Sequence, residues 1–213
     1  MSYPSQKLSL KSEGVGIILF AFLWLNIAVE VLILLYYLLP IISPDIDTSG
    51  EVFETFIDIH SISQLLLYII TIILFFVWMY LLHSDLKLLF RTYPITPGQA
   101  LAQLMIPFYN LWGVWNVFST LAERLRTRGG AALKYWLPLL YLTTFVSRSL
   151  DRFLINKSRN EEAEISPTLL LITLGVDLFL TIIWLEMTRL IRKSVEYRVK
   201  EIEEEKSLAA NPA

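Results

Sequence analysis

The sequence predicts an all-α membrane protein, a bundle of four transmembrane helices plus a central, Pro/Asn-broken helical segment that re-enters the membrane or lies in its plane. First, 55% of the 213 residues are apolar and the mean hydropathy is +0.55, values typical of polytopic membrane proteins. Second, several apolar stretches are long enough to cross a hydrocarbon core of about 30 Å. Third, in this arrangement fourteen of the eighteen lysines and arginines fall on one side, which the positive-inside rule makes cytoplasmic.

Composition also limits the chemistry. The absence of cysteine excludes disulfides, thiolate nucleophiles and covalently attached haem. The formal charge of -2 gives no indication of a nucleic-acid partner. The motifs of serine hydrolases, zinc proteases and nucleotide-binding proteins do not occur. We therefore predict a protein that is not an enzyme and has no cofactor and no metal.

The first two spans are predicted at 15–40 and 61–83, after a short cytoplasmic tail at 1–14. The first apolar run is too long for the core of a signal peptide, so we expect it to remain as an uncleaved span. The loop between the spans contains five acidic residues and no basic one, and we expect it outside. Ser61 and Gln64 have the spacing of a capping box, which predicts that the second helix begins there.

The central segment, 97–128, has basic residues at both ends. Lys87 and Arg91 precede it, and the residues that follow it are Arg124, Arg126, Arg128 and Lys134. Both ends are thus predicted on the cytoplasmic face, and an ordinary crossing is disfavoured. Thr96, Pro97 and Gln99 predict a helix start, and Pro107 predicts a break.

The last two spans are predicted at 131–155 and 167–190. Beyond them the tail, 191–213, begins as a helix, because its apolar residues recur at helical spacing: Ile191, Val195, Val199 and Ile202. Its basic residues place it in the cytoplasm together with the N-terminus.

Three charged residues fall inside predicted spans: Glu30, Arg148 and Asp177. A charge at the bilayer centre costs at least about 2.5 kcal/mol, so we expect these side chains to face one another or a wet cavity. One interpretation is a proton or ion relay, or a pocket for a charged substrate. The other is a structural ion pair between the first and third spans.

The centre of the broken segment carries a second candidate site: Pro107, Tyr109, Asn110, Trp112 and Trp115. Its aromatic rings suit a ring or a cationic headgroup, although an interfacial aromatic belt is the preferred interpretation. Asn110 either binds a ligand or caps the broken helix. The arginines that follow, Arg124, Arg126 and Arg128, either attract anionic lipid or only set the topology.

Metal binding has little support. Glu51, Glu54 and Asp58 share a helical face beside His60, but a solvated acidic face is the preferred interpretation. His60 and His83, the only histidines, are about 34 Å apart along one helix and cannot share a ligand within the chain.

The stretch 106–112, Ile-Pro-Phe-Tyr-Asn-Leu-Trp, and the Leu-Ala-Glu-Arg that ends the following helix resemble a family of small bacterial membrane proteins catalogued as domain of unknown function 4328. The resemblance implies about four spans, with this segment between the second and third, and the bacterial inner membrane as location. Gly113 departs from the motif, where an arginine or another polar residue is common. The family implies no activity.

Two functions remain open. The first is a non-enzymatic accessory or interaction subunit of the membrane that docks a membrane protein partner or a second copy. The alternative is a small transport or permeation protein for an ion or small charged solute, built on Glu30, Arg148, Asp177 and Asn110. A third hypothesis, with less support, is an enzyme that acts on lipid and uses Asp177 as its acid.

Overall fold

The computed structural model describes residues 9–43, 51–126, 129–159 and 166–210, without the side chains of 51–54, 56–57, 107–111 and 210. All regular structure in these ranges is helical, which confirms the all-α class. The helices are α1 (Lys11–Ile42), α2 (Glu51–Leu89), α3 (Pro97–Met105), α4 (Pro107–Arg124), α5 (Leu133–Ser158) and α6 (Pro167–Ala210). A short 3-10 turn, Gly130–Ala132, precedes α5.

Three helical segments are long and apolar enough to cross a membrane: Lys11–Ile42, Asp58–Leu89 and Pro167–Ala209. They leave large apolar side chains exposed, among them Trp24, Leu32, Leu65 and Ile172. Lipid covers such faces in a membrane protein. These features are compatible with a multi-pass membrane protein. α5 has 26 residues and is not among the three, since Arg148, Asp151 and Arg152 interrupt its apolar sequence.

The second helix begins earlier than predicted. α2 starts at Glu51, so the capping box predicted at Ser61 is wrong because Ser61 lies inside the helix. No proline or glycine separates Glu51 from Ser61, and the helical hydrogen bonds therefore continue through this acidic stretch.

The predicted start and break of the central segment are both confirmed. Gln99 N donates to Thr96 Oγ1 at 3.1 Å, and Thr96 N donates to Gln99 Oε1 at 2.9 Å, which completes the capping box that starts α3. Ile106 then adopts an extended conformation, with φ -78° and ψ 119°, and Pro107 opens α4. An extended residue before a proline is the conformation that the proline ring imposes.

α3 and α4 form a helical hairpin. Asn116 Nδ2 donates to Gln103 Oε1 at 3.2 Å, although thirteen residues along one continuous helix would be about 20 Å apart. Gly113 lies where the two helices are in close contact, because a Cβ there would clash with the carbonyl oxygen of Gln103. The chain therefore reverses at Ile106, and the crossing requires a residue without a side chain.

The chain divides into two compact units. Unit I contains the described residues up to Phe20, from Ile73 to Leu137, and from Glu186 onward; unit II contains those from Ala21 to Ile72 and from Pro138 to Leu185. α1, α2, α5 and α6 each contribute to both units, whereas α3 and α4 belong to unit I alone.

The C-terminal part of α6 belongs to the packed interior of unit I. The helix continues past the predicted span, as the spacing of its apolar residues predicts. Of these residues, Ile191, Val195 and Val199 are at most 9% exposed, and Ile202 is half-buried. The apolar side of α4 is buried as well, with Phe118, Leu121 and Leu125 at most 1% exposed. Protein therefore covers this side of α4.

Candidate functional site

Polar side chains join α1 and α2 within unit II. Asn26 Nδ2 donates to Thr71 Oγ1 and to the carbonyl of Phe22, both at 2.8 Å. Thr71 in turn donates to the carbonyl of Leu67 at 2.7 Å. Asn26 is buried, and both bonds come from its amide nitrogen. Such bonds between apolar helices hold them together and fix their register.

Glu30 is the centre of a second polar contact in unit II. Its Oε1 accepts hydrogen bonds from Thr181 Oγ1 of α6 at 2.9 Å and from Gln64 Nε2 of α2 at 3.5 Å. Glu30 is 9% exposed. One carboxylate oxygen thus receives donors from two other helices, each within a candidate span.

Asp177 lies one helical turn before Thr181 on α6. Ser147 Oγ of α5 donates to Asp177 Oδ1 at 2.7 Å, and Thr181 Oγ1 lies 3.1 Å from the carbonyl oxygen of Asp177. The Asp177 carboxylate repels that of Glu30 and also interacts electrostatically with Arg148 and Asp151. The structure therefore brings Glu30 and Asp177 into one network, with Thr181 between them.

Arg148 lies at the edge of this network. Among the residues that the structure describes, it forms no ion pair within 4.0 Å. It is exposed and lines a cavity of about 400 Å³ together with Asp151 and Arg152. Arg148 interacts with Asp177 electrostatically. The hydrogen bonds of Glu30 come from Thr181 and Gln64 and not from Arg148.

Two oxygen atoms of the network have no partner in the described ranges. Glu30 Oε2 and Gln64 Oε1 are both fully buried and accept no hydrogen bond there. A buried polar group without a partner costs roughly 1–3 kcal/mol. These two atoms are where the network is incomplete.

The aromatic site of the hairpin is described only in part. Trp112 is 75% exposed and Trp115 is 43% exposed, beside exposed Met105 and Ile106. The predicted roles of the Pro107, Tyr109 and Asn110 side chains lie outside the described residues. The hairpin therefore presents an apolar, aromatic surface.

The basic stretch after α4 is also seen in part. Arg124 is half-buried and Arg126 is exposed, whereas Arg128 lies outside the described residues. Arg124 acts electrostatically on Tyr93, whose hydroxyl is buried; burial is the larger effect and raises the pKa of that hydroxyl. The Tyr93 ring lies 5.6 Å from the His83 ring and 6.4 Å from the Phe90 ring.

His83 and Asp85 have structural roles in unit I. His83 is 0% exposed, and its Nδ1 donates to the carbonyl of Met79 at 2.9 Å. Asp85 accepts from the backbone N–H groups of Lys11 and Ser12 at 3.3 and 2.8 Å. Within the described ranges, no group of three or more His, Cys, Asp or Glu residues is arranged to hold a metal ion.

Sequence reasoning missed Gln64, Ser147 and Thr181 as members of the network. One spacing rule indicates where to look for Thr181, which is four residues after Asp177 and on the same helical face. Gln64 had been assigned to a helix start, and it lies inside α2.

The fold is a helical one, and its three long apolar helices are compatible with a multi-pass membrane protein. Comparison with known protein families, with curated proteins and with solved structures found no match. The resemblance of residues 106–112 to the small bacterial family stays a prediction, as does the bacterial inner membrane.

Proposed function

We propose that the chain spans the membrane four times, with α1, α2, α5 and α6 as the spans and both termini in the cytoplasm. The α3–α4 hairpin enters from the cytoplasmic side and returns to it. Two observations support this topology. Four helices contribute to both units while the hairpin belongs to unit I. Among the described lysines and arginines, only Arg148, Arg152, Lys157 and Arg159 lie in unit II, in keeping with the positive-inside rule.

Single cysteines test this topology without background labelling, because the chain has none of its own. Exposed Glu123, Ser207 and Asp58 are replaced one at a time, and oriented cells are treated with a membrane-impermeant thiol reagent. Asp58→Cys should react, whereas Glu123→Cys and Ser207→Cys should react only after lysis. Reaction of Glu123→Cys in intact cells would show that 97–126 crosses the membrane.

The function that the geometry supports best is transport or permeation of an ion or small charged solute. The observation that carries it is the polar network in unit II, to which all four proposed spans contribute: Glu30, Gln64, Ser147, Asp177 and Thr181. Polar and ionisable groups inside spans are costly and mark substrate and ion pathways. Arg148 and Asp151 on the cavity interact with Asp177, so charged groups lead from the cavity to the network.

Flux measurements test the proposal. The full chain is reconstituted in vesicles, and fluxes of protons, Na⁺ and K⁺ are compared with protein-free vesicles. We expect a flux of at least one cation that Asp177→Asn abolishes and that Thr71→Val leaves unchanged, since Thr71 bonds outside the network. Fluxes equal to those of empty vesicles would exclude cation permeation.

A second candidate is an accessory or interaction subunit of the membrane. It is favoured by the exposed aromatic surface of the hairpin, where Trp112 is 75% exposed, because exposed tryptophans are enriched at protein contacts. If two copies meet there, Trp112→Cys should form a disulfide-linked dimer on mild oxidation. Leu88→Cys, at the same exposed fraction on α2, is the control that should not. Monomeric Trp112→Cys would argue against self-association through this surface.

A further inference from the structure

Two buried oxygen atoms in unit II lack a hydrogen-bond donor. Glu30 Oε2 and Gln64 Oε1 accept nothing within the described ranges, and Glu30 is 9% exposed. A carboxylate oxygen and an amide carbonyl oxygen are both acceptors, so neither can satisfy the other. Both oxygens can therefore accept a hydrogen-bond donor or bind a cation.

We propose that Glu30 and Gln64 bind a small monovalent cation, Na⁺ or a proton, between the Glu30 carboxylate and the Gln64 amide oxygen. The proposal rests on the permeation function proposed above and names the ion-binding step. The amide of Gln64 lies 3.5 Å from Glu30 Oε1, and rotation of the amide by half a turn, which exchanges its nitrogen and oxygen, places the oxygen near that position. Two oxygens about 3.5 Å apart can share one cation at cation–oxygen distances of about 2.4 Å.

A proton fits the same pair of groups. A protonated Glu30 donates an O–H to the Gln64 oxygen at about 2.7 Å after a small shift, and it removes the charge from the buried carboxylate. Thr181 Oγ1 remains bonded to Glu30 Oε1 at 2.9 Å in either case. Both occupants therefore lie between the Glu30 carboxylate and the Gln64 oxygen.

The surrounding charges favour a cation of low charge. Asp177 on α6 repels Glu30, and Asp177 itself interacts with Arg148 and Asp151 on α5. The contact from α2 is the neutral Gln64. Divalent Ca²⁺ requires six to eight oxygen ligands that include several carboxylates, and the described residues contain no cluster of that kind.

Thermal melting of the purified full chain in detergent tests binding separately from transport. Melts are recorded in NaCl, KCl and choline chloride at equal ionic strength, each at pH 5.5 and pH 8. A cation present at ten times its Kd raises Tm by about 4 °C. If the site binds Na⁺, we expect a higher Tm of the natural protein in NaCl than in choline chloride. If it binds a proton, we expect a higher Tm at pH 5.5 than at pH 8 in all three salts.

Glu30→Gln should abolish this rise, because its amide supplies a donor to Gln64 and carries no charge. Gln64→Leu is a second variant that removes one of the two oxygens and keeps the packing volume, and it should weaken the response. Thr71→Val, in the same unit but about 10 Å along α2 from Gln64, should melt lower and retain the full response.

The outcomes separate the two occupants. A Na⁺-specific rise that Glu30→Gln abolishes identifies Na⁺, and a pH-dependent rise without salt specificity that Glu30→Gln abolishes identifies the proton. A rise that persists in both Glu30→Gln and Gln64→Leu, or no rise at all, overturns the site. A Glu30-dependent rise in Tm without flux in vesicles would support the cation site and contradict permeation. Flux without a Glu30-dependent rise in Tm would support permeation and contradict the cation site.

Discussion

The Asp85 carboxylate of α2 caps the N-terminus of α1, with its Oδ2 accepting the backbone N–H of Ser12 at 2.8 Å. Both residues are at most 4% exposed. The first N–H groups of a helix have no partner within that helix, and an acidic side chain there also interacts favourably with the helix dipole. A residue from one helix thereby fixes where another helix begins.

Removing this cap should destabilise the protein. Asp85→Ala removes the partner of the buried Ser12 N–H and of the Lys11 N–H, and we expect a loss of about 2 kcal/mol. Glu13→Gln changes an exposed acidic residue in the same first turn and should change stability by less than about 0.5 kcal/mol. Denaturant unfolding in detergent measures both. Equal losses in the two variants would show that helix charge alone, and not the cap, is responsible.

The close crossing of α3 and α4 makes Gly113 intolerant of a side chain. A Cβ there would clash with the Gln103 oxygen, so Gly113→Ala forces the helices apart, at a cost of about 1–3 kcal/mol.

Gly98→Ala is the matched control, since a Cβ at Gly98 meets nothing within 4 Å. It should be neutral or stabilise by about 0.5 kcal/mol, because alanine favours the helix. Thermal melting followed by circular dichroism checks both variants. A Gly113→Ala protein as stable as the natural one would mean that the hairpin crosses less closely than described.

The bond from Ser147 to Asp177 should contribute to stability. Ser147 is 5% exposed and donates at 2.7 Å, and hydrogen bonds to charged groups contribute about 1.5–3 kcal/mol. Ser147→Ala should therefore lower stability by about 2 kcal/mol.

Ser149→Ala provides the comparison, because Ser149 is exposed and bonds only to the carbonyl of Phe145 in its own helix among the contacts described. We expect a change below about 0.5 kcal/mol. Unfolding by a denaturing detergent compares them. Similar small effects in both variants would indicate that Asp177 is satisfied without Ser147.

Tyr93 should make stability depend on pH in the alkaline range. Burial raises the pKa of its hydroxyl in the folded protein, above the value of about 10 in the unfolded chain. The folded state then holds a proton that the unfolded state releases, so this contribution is complete below about pH 10 and falls as pH rises further.

Tyr93→Phe removes the titrating group. The variant should match the natural protein at pH 7 within about 1 kcal/mol and should lose less stability between pH 9 and pH 11. Melting curves across this range test the difference. Parallel curves for both proteins would show that the Tyr93 hydroxyl titrates at its ordinary pKa in the folded state.

Local sequence was sufficient where the two partners of an interaction are close together along the chain. Thr96 and Gln99 are three residues apart and cap α3 as predicted, and Pro107 breaks the helix because its ring acts on the residue before it. The continuation of α6 beyond the predicted span follows from helical spacing alone. Ser61 and Gln64 have the same capping spacing, but they lie inside a helix, because spacing does not show whether the preceding residues are already helical.

Tertiary structure decided which distant residues meet. Glu30 and Thr181 are 151 positions apart, and Asp85 and Ser12 are 73 apart, so no local pattern relates them. A hydropathy profile identifies a charged residue in an apolar stretch, because the free-energy cost of burying that charge depends on the stretch alone. It cannot find the partner, because that depends on how two helices rotate against each other. The sequence therefore determined the helical class, the broken central segment and the charges within long apolar helices, and packing alone decided that Glu30 meets Thr181 and Gln64.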